Sequence, residues 1–135
     1  MLSSDDSEVC RLSIELGYQA TVFETNKRIK DILESKNDCA FVAIREGKIA
    51  GWIHGFYSLR LESRAFVEIG GLVIDNNYRM HGIGRRLVNR VKEWGRDLSP
   101  VIRVRCNSKR TEAHLFYERL GFKLIKEQKV FDTIL

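Results

Sequence analysis

Phe66-Val67-Glu68-Ile69-Gly70-Gly71-Leu72-Val73-Ile74-Asp75, followed after two residues by Tyr78-Arg79-Met80-His81-Gly82-Ile83-Gly84, is the stretch that decides the fold. The first run is apolar and β-prone, and Asp75-Asn76-Asn77 ends it as a turn. The second run opens a helix. Ile83, Leu87, Val91, Trp94 and Leu98 recur on one stripe, while Arg85, Arg86, Asn89, Lys92, Glu93 and Arg96 fall elsewhere. Two glycines one residue apart let the backbone turn tightly and approach a ligand. The amides of Met80 to Arg85 then sit at a helix N-terminus, where unpaired N–H groups and about half a positive charge favour an anion. Pyrophosphate suits such a place, and Arg79, Arg85 and Arg86 add charge to it. The spacing lacks the third glycine of a dinucleotide fingerprint and the Gly-Lys-Ser/Thr of a Walker loop. Taken alone, it is equally a plain tight turn.

Working outward, Cys39 to Arg45 and Ile49 to Tyr57 read as strands joined by a hairpin turn at Glu46-Gly47-Lys48. A looser stretch, Ser58 to Arg64, leads into the third strand, Ala65 to Asp75. Two helices precede the strands. The first follows the caps Ser4, Asp5 and Asp6 and carries Val9, Leu12, Ile14 and Leu16 before Gly17. The second spans about Thr25 to Ser35 with Ile29, Ile32 and Leu33 apolar. Beyond the phosphate turn, Ser99-Pro100 breaks the helix and Val101 to Cys106 reads as a strand. Thr111 to Leu120 is a short helix with Ala113, Phe116, Tyr117 and Leu120 on one face, ended by Gly121. Phe122 to Leu135 reads as two strands split near Glu127 to Lys129. The order is ααβββαβαββ, a mixed α/β fold with helices on a sheet, expected as one domain over 1–135.

Composition narrows the function classes. With 44% apolar and 30% charged residues, the chain reads as an ordinary globular domain, neither disordered nor membrane-embedded. No apolar run approaches the ~20 residues of a membrane span, and the polar, acidic start does not look like a signal peptide. Cys10, Cys39 and Cys106 are odd in number and form no CxxC pair. No disulfide framework or zinc site is implied, and a reducing cytoplasm fits. A net charge of +5 admits nucleic acid, acidic membrane or a polyanionic cofactor as partner. The clustering of Arg79, Arg85 and Arg86 at the turn favours the cofactor over a specific nucleic acid or a membrane.

A second constellation lies downstream: Asn107, Ala113, Phe116, Tyr117, Gly121 and Phe122. Together the two motifs resemble the GNAT superfamily of N-acetyltransferases. That family has an Arg/Gln-x-x-Gly-x-Gly/Ala turn after a strand and an Asn, Ala-x-x-Phe-Tyr and Gly-Phe series downstream. The resemblance covers about residues 5 to 135. One departure is the start, because only Met1 to Ser4 precede the first helix, so the family's opening strand is expected to be missing or stunted.

The resemblance implies acetyl-CoA as cosubstrate, with no metal. In the family two parallel strands splay and the pantetheine arm pairs with the strand before the turn, like an added strand. Carried over, the cofactor-binding residues are Leu72, Val73, Ile74, Arg79, Met80, His81, Gly82, Ile83, Gly84, Arg85 and Asn107. The Leu72 amide would donate to the thioester oxygen as charge builds on it. Asn107 would bond the pantetheine amide, or else cap the helix from Thr111. Tyr117 is the candidate acid for the departing CoA thiolate. Read bare, an aromatic on that apolar face is core, and the family pattern reverses that preference. Glu68 is the candidate base that takes the proton of the attacking ammonium, on the reasoning that a carboxylate in an apolar strand suits proton removal. An exposed glutamate or a simple ion pair, with a chain of waters as the base, is the alternative.

The histidines are scattered. His54 reads as a satisfied strand residue ahead of an acceptor-site or relay role, His114 as a solvated helix position, and His81 as exposed in the turn. No Ser/His/Asp or Cys/His set suggests covalent catalysis, so direct attack in a ternary complex is expected. A non-catalytic acyl-CoA-binding module would keep the glycine turn but needs no Tyr117, and a basic nucleic-acid domain would interleave basic and aromatic residues on one surface. The partner is therefore expected to be an amine acceptor, with a homodimer and a first strand supplied by another chain left open. Gly17 to Asn26 and Tyr57 to Arg64 are the expected acceptor loops. Glu15, Glu24, Glu62 and Glu68 are acids that would attract a cationic amine.

Overall fold

Glu46 and Gly47 both take positive φ, 54° and 73°. That is the turn geometry whose twist matches two flanking strands, and it folds β1 (Asp38–Arg45) and β2 (Lys48–Ser58) into an antiparallel hairpin. In the computed structural model, which describes all 135 residues, β3 (Phe66–Ile74) adds antiparallel to β2 and β4 (Ile102–Val104) adds parallel to β3. The four-stranded mixed sheet has the order β1-β2-β3-β4. A 3-10 turn at Ser3–Asp5 precedes α1 (Asp6–Glu15), and α2 (Val22–Glu34) follows it. A second 3-10 turn at Asn76–Tyr78 and then α3 (Ile83–Gly95) lie between β3 and β4. These elements belong to one compact unit, Met1–Arg105. A second unit, Cys106–Leu135, holds α4 (Thr111–Arg119).

Alternation along the strands sends opposite faces of the sheet to different helices. On one face Leu12 of α1 and Leu16 at its C-cap pack with Val42, Trp52 and Val73. On the other, α3 lies close against the sheet. A Cβ added at Gly95 would come within 2.6 Å of Val67 Cγ2, so glycine is what lets the end of α3 touch β3. Leu87, Val88 and Val91 of α3 are buried there, each contributing about 1.5–3 kcal/mol of burial.

Most elements lie where the pattern puts them, and three expectations are corrected. The second helix starts at Val22, not near Thr25, because Thr21 Oγ1 accepts the Glu24 N–H (3.2 Å) and caps it. The apolar stripe of α3 is completed by Val88, while Leu98 lies past the helix end and is exposed. No strand precedes α1, as the short start suggested. Phe122 to Leu135, expected as two strands, forms none. Leu124, Ile125, Val130, Phe131, Ile134 and Leu135 are all exposed there. An apolar alternation becomes a strand only where its N–H and C=O groups find a ladder.

Candidate active site

The sheet opens where the phosphate turn was expected to be fed. β3 pairs with β2 as far as Ile74, but with β4 only over Val67, Glu68 and Ile69. From Gly70 to Ile74, one edge of β3 therefore has no neighbouring strand. A bulge decides which groups line that edge. The β2–β3 register passes from Gly55↔Ile69 to His54↔Gly71, skipping Gly70. Before the bulge, the Val67 N–H donates to Val101 C=O on the β4 side (3.0 Å). After it, the Asp75 N–H donates to Ala50 C=O on the β2 side (2.9 Å). Alternation then turns the amides of Leu72 and Ile74 to the open edge. Their side chains are half-buried, and Val73, facing α1, is fully buried. A small pocket, lined in part by Val73, Ile74, Asn76 and Arg79, opens on the α1 side.

The strand feeds directly into the glycine turn. Asp75 is buried and accepts the Asn77 N–H (2.9 Å) and the Arg11 guanidinium (3.1 Å). The backbone N–H and then the arginine hold its carboxyl below the usual aspartate value, against the opposing pull of burial. Arg11 itself also pairs with Glu8 and Glu15, at 2.9 and 2.8 Å, tying α1 to the end of β3. Met80 and Gly82 both take positive φ, 67° and 75°. Gly82 is the N-cap of α3 and offers no capping side chain. The first N–H groups of α3 are thus left for a ligand. Arg79, Met80, His81, Arg85 and Arg86 are exposed around them, while Ile83 and Gly84 are buried.

Glu68 is 5% exposed, and its surroundings differ from the apolar strand that the sequence suggested. Arg105 Nη1 lies 3.4 Å from Oε1 and Arg60 Nη2 lies 3.9 Å from Oε2. Oε2 is buried with no hydrogen-bond partner. Sequence reasoning missed these arginines. Arg103 and Arg105 share a strand face at i, i+2 spacing, but only the β3–β4 register shows that the face is Glu68's. The acids expected to draw a cationic amine are dispersed: Glu15 pairs with Arg11 and Glu24 with Thr21.

His54 is a partnered strand histidine. Its Nε2 lies 2.7 Å from Asp38 Oδ1, Ser35 donates its hydroxyl to Asp38 Oδ2 (2.5 Å), and the ring stacks on Phe56 at 5.6 Å. Cys39 is buried and its thiol is pushed up to about 11 by that burial. Burial also raises the thiol of Cys106. Neither has the lowered pKa of a nucleophile.

In the second unit, Tyr117 is 8% exposed on α4. Phe116 and Phe122 meet its ring edge-on, at 4.9 and 5.4 Å. The helix closes at Gly121 (φ 90°), and the Phe122 N–H returns to Tyr117 C=O (3.0 Å). Asn107 is exposed; its Oδ1 accepts the Lys109 N–H (2.9 Å), and its C=O bonds the Arg110 N–H (3.0 Å) and His114 Nε2 (2.9 Å). Its side chain therefore shapes the turn before α4 and does not cap the helix, whose N-cap is Arg110.

Comparison with known proteins matches this arrangement. Residues 8–122 fit the acetyltransferase (GNAT) family. An N-acetylaspartate synthetase from Xenopus tropicalis is 30% identical over 93 residues, which is 67% of this chain and 33% of that protein. The chain thus spans about a third of the length of that curated relative. Among solved structures, AAC(6')-Iy in complex with the bisubstrate analogue CoA-S-monomethyl-acetylneamine superposes with a TM-score of 0.87 at 16% identity, over 100% of this chain and 95% of that one. A transcriptional regulator from Bacillus halodurans C-125 gives 0.83 at 22%, over 98% and 96%. At these identities the two structures establish the fold alone. With the glycine turn, the half-paired strand and a family match over most of its length, the chain belongs to the GNAT acetyltransferase family.

Proposed function

We propose that this chain transfers the acetyl group of acetyl-CoA to an amine by direct attack in a ternary complex. The observation that carries the reading is the bare edge of β3 from Gly70 to Ile74, running into the glycine turn at the N-terminus of α3. An extended amide-bearing arm can pair with that edge as an added strand, and a pyrophosphate can sit on the helix N-terminus. That a protein of the same fold was captured with a CoA-linked bisubstrate analogue supports the fit. Acetyl-CoA supplies the activated acetyl thioester.

The chain's own groups do the rest in this reading. The amides of Leu72 and Ile74 hold the arm, and the Leu72 N–H donates to the thioester oxygen. Arg79, Arg85 and the amides of Met80 to Gly84 hold the phosphates, and Asn107 bonds the arm's amide. Glu68 takes a proton from the amine, and the absence of a hydrogen bond to its Oε2 supports that role. Tyr117 gives a proton to the departing thiolate. No helix is long and apolar enough to cross a membrane. Cytoplasmic residence belongs to the same reading, on the three unpaired cysteines.

The test is CoA release, followed with a thiol reagent across an amine panel, alongside thermal unfolding with acetyl-CoA. Acetyl-CoA should raise Tm by mass action, and at least one amine should drive CoA release. Stabilisation without turnover on any amine would make the chain a binding module instead.

A further inference from the structure

The face of the sheet that carries Glu68 is rich in arginine. The parallel register sets Arg103 opposite Glu68, so both side chains lie on the same face of the sheet. Phe66 and Arg105, two residues away on each strand, share that face. Arg103 lies over the Phe66 ring at 4.0 Å, and Arg60, from the loop after β2, reaches the same ring at 5.5 Å. Two guanidiniums, of Arg60 and Arg105, therefore lie beside the carboxylate, and a third, of Arg103, lies over the neighbouring Phe66 ring. The first two touch the carboxylate only loosely, at 3.9 and 3.4 Å.

The hydrogen bonding there is incomplete as well. Among the buried side-chain atoms left without a partner are a donor, Arg103 Nε, and an acceptor, Glu68 Oε2. Buried polar groups are normally satisfied, and here one of each kind waits on one face. The phosphates of CoA do not account for the arginines. Glu68 lies six residues before Ile74, about 20 Å along an extended strand from the end of β3 that leads into the glycine turn.

We infer that the acceptor is an amino acid, bound with its carboxylate against Arg103, Arg105 and Arg60 and its amine toward Glu68 Oε2. This rests on the acetyl-transfer reading and adds the acceptor class to it. One carboxylate cannot balance three guanidiniums, so a second on the acceptor improves the match. Acidic amino acids are the favoured members. A polycationic aminoglycoside would bring several ammonium groups to a positively charged surface and is disfavoured.

The experiment uses the whole chain. Calorimetric titration with acetyl-CoA comes first, because absence of binding would overturn the transferase reading and this inference with it. With acetyl-CoA saturating, CoA release is then compared for aspartate, glutamate, glycine, ethylamine and kanamycin. The expected order places aspartate or glutamate first in kcat/KM, with ethylamine lower by at least about tenfold, the scale of a lost charged hydrogen bond. Arg105→Gln should raise KM for the acidic amino acid by about tenfold or more while acetyl-CoA affinity stays within about twofold. The side chain of Arg105 is 48% exposed, so this variant should fold. Charge reversal in Arg105→Glu should narrow or invert the preference for acidic over cationic acceptors. Equal turnover of ethylamine or kanamycin and aspartate, or an unchanged KM in Arg105→Gln, would overturn the inference while leaving acetyl transfer standing.

Discussion

Tyr117→Phe separates a catalytic hydroxyl from a packed ring. The ring is 8% exposed and held edge-on by Phe116 at 4.9 Å and Phe122 at 5.4 Å. Phenylalanine keeps both aromatic contacts, each worth about 0.5–1.5 kcal/mol, and nearly all the buried area. What is lost is one hydroxyl and its hydrogen bonding, a net effect on stability of about 0.5–1.5 kcal/mol. For a chain of this length, that is a Tm shift of only a few degrees, roughly 2–8 °C. As the acid for the departing thiolate, the same hydroxyl is worth about 10²–10⁴-fold in rate, or roughly 3–5 kcal/mol of barrier. The two roles therefore differ by orders of magnitude in turnover and little in stability. The assay is steady-state CoA release on a working acceptor, with thermal unfolding and acetyl-CoA titration in parallel. The loss should fall on kcat, with acetyl-CoA binding close to wild type, because the proton is needed only as the thiolate leaves. Turnover within about twofold of wild type, with chemistry rate-limiting, would refute the acid role.

Three further outcomes are expected. Glu68→Gln should lower the rate most at low pH, where the amine most needs help losing its proton; a pH–rate profile that overlays the wild type would leave Glu68 a structural ion-pair partner. Asp75 has its pKa lowered by the Asn77 N–H and by Arg11, so its stabilisation is present above about pH 4 and lost as pH falls through the lower folded value. Asp75→Asn should cost up to about 1–3 kcal/mol at neutral pH, reduced because Arg11 is partly exposed, and its Tm should fall less steeply in acid than that of the wild type. An equally steep acid decline in both would contradict this. Gly95→Ala places a Cβ 2.6 Å from Val67 Cγ2; overpacking costs about 1–3 kcal/mol, more than the gain of up to about 1 kcal/mol in helix propensity, so Tm should drop, and an unchanged Tm would mean that α3 and β3 separate easily.

How much the sequence reveals depends on whether a feature is local. The glycine turn is read from residues 79 to 84 because its chemistry is written in adjacent residues: a backbone turn, unpaired amides and arginines. The same holds for the β1–β2 hairpin at Glu46-Gly47 and the stripe of α3. The bare edge of β3 is not local. It exists because β4 pairs with only three of its residues and because the skipped Gly70 reverses which amides face outward. The arginines near Glu68 were hidden for the same reason, since Arg103 and Arg105 come to its face only through the register of β3 against β4 and Arg60 only through the path of the loop after β2. Phe122 to Leu135 failed in the opposite direction. Its alternation looks like two strands, but no backbone ladder forms along it.

Backbone amide NMR of the protein titrated with acetyl-CoA tests the central claim most directly. In the proposed complex the arm of the cosubstrate lies on the open edge of β3 and its phosphates on the N-terminus of α3. The largest shifts should therefore fall on the amides of Leu72 and Ile74 and of Gly82 to Arg85. The Val73 amide, turned toward β2, should shift less than its two neighbours. Saturable binding that leaves Leu72, Ile74 and Gly82 to Arg85 unmoved, with the shifts gathered elsewhere, would contradict it.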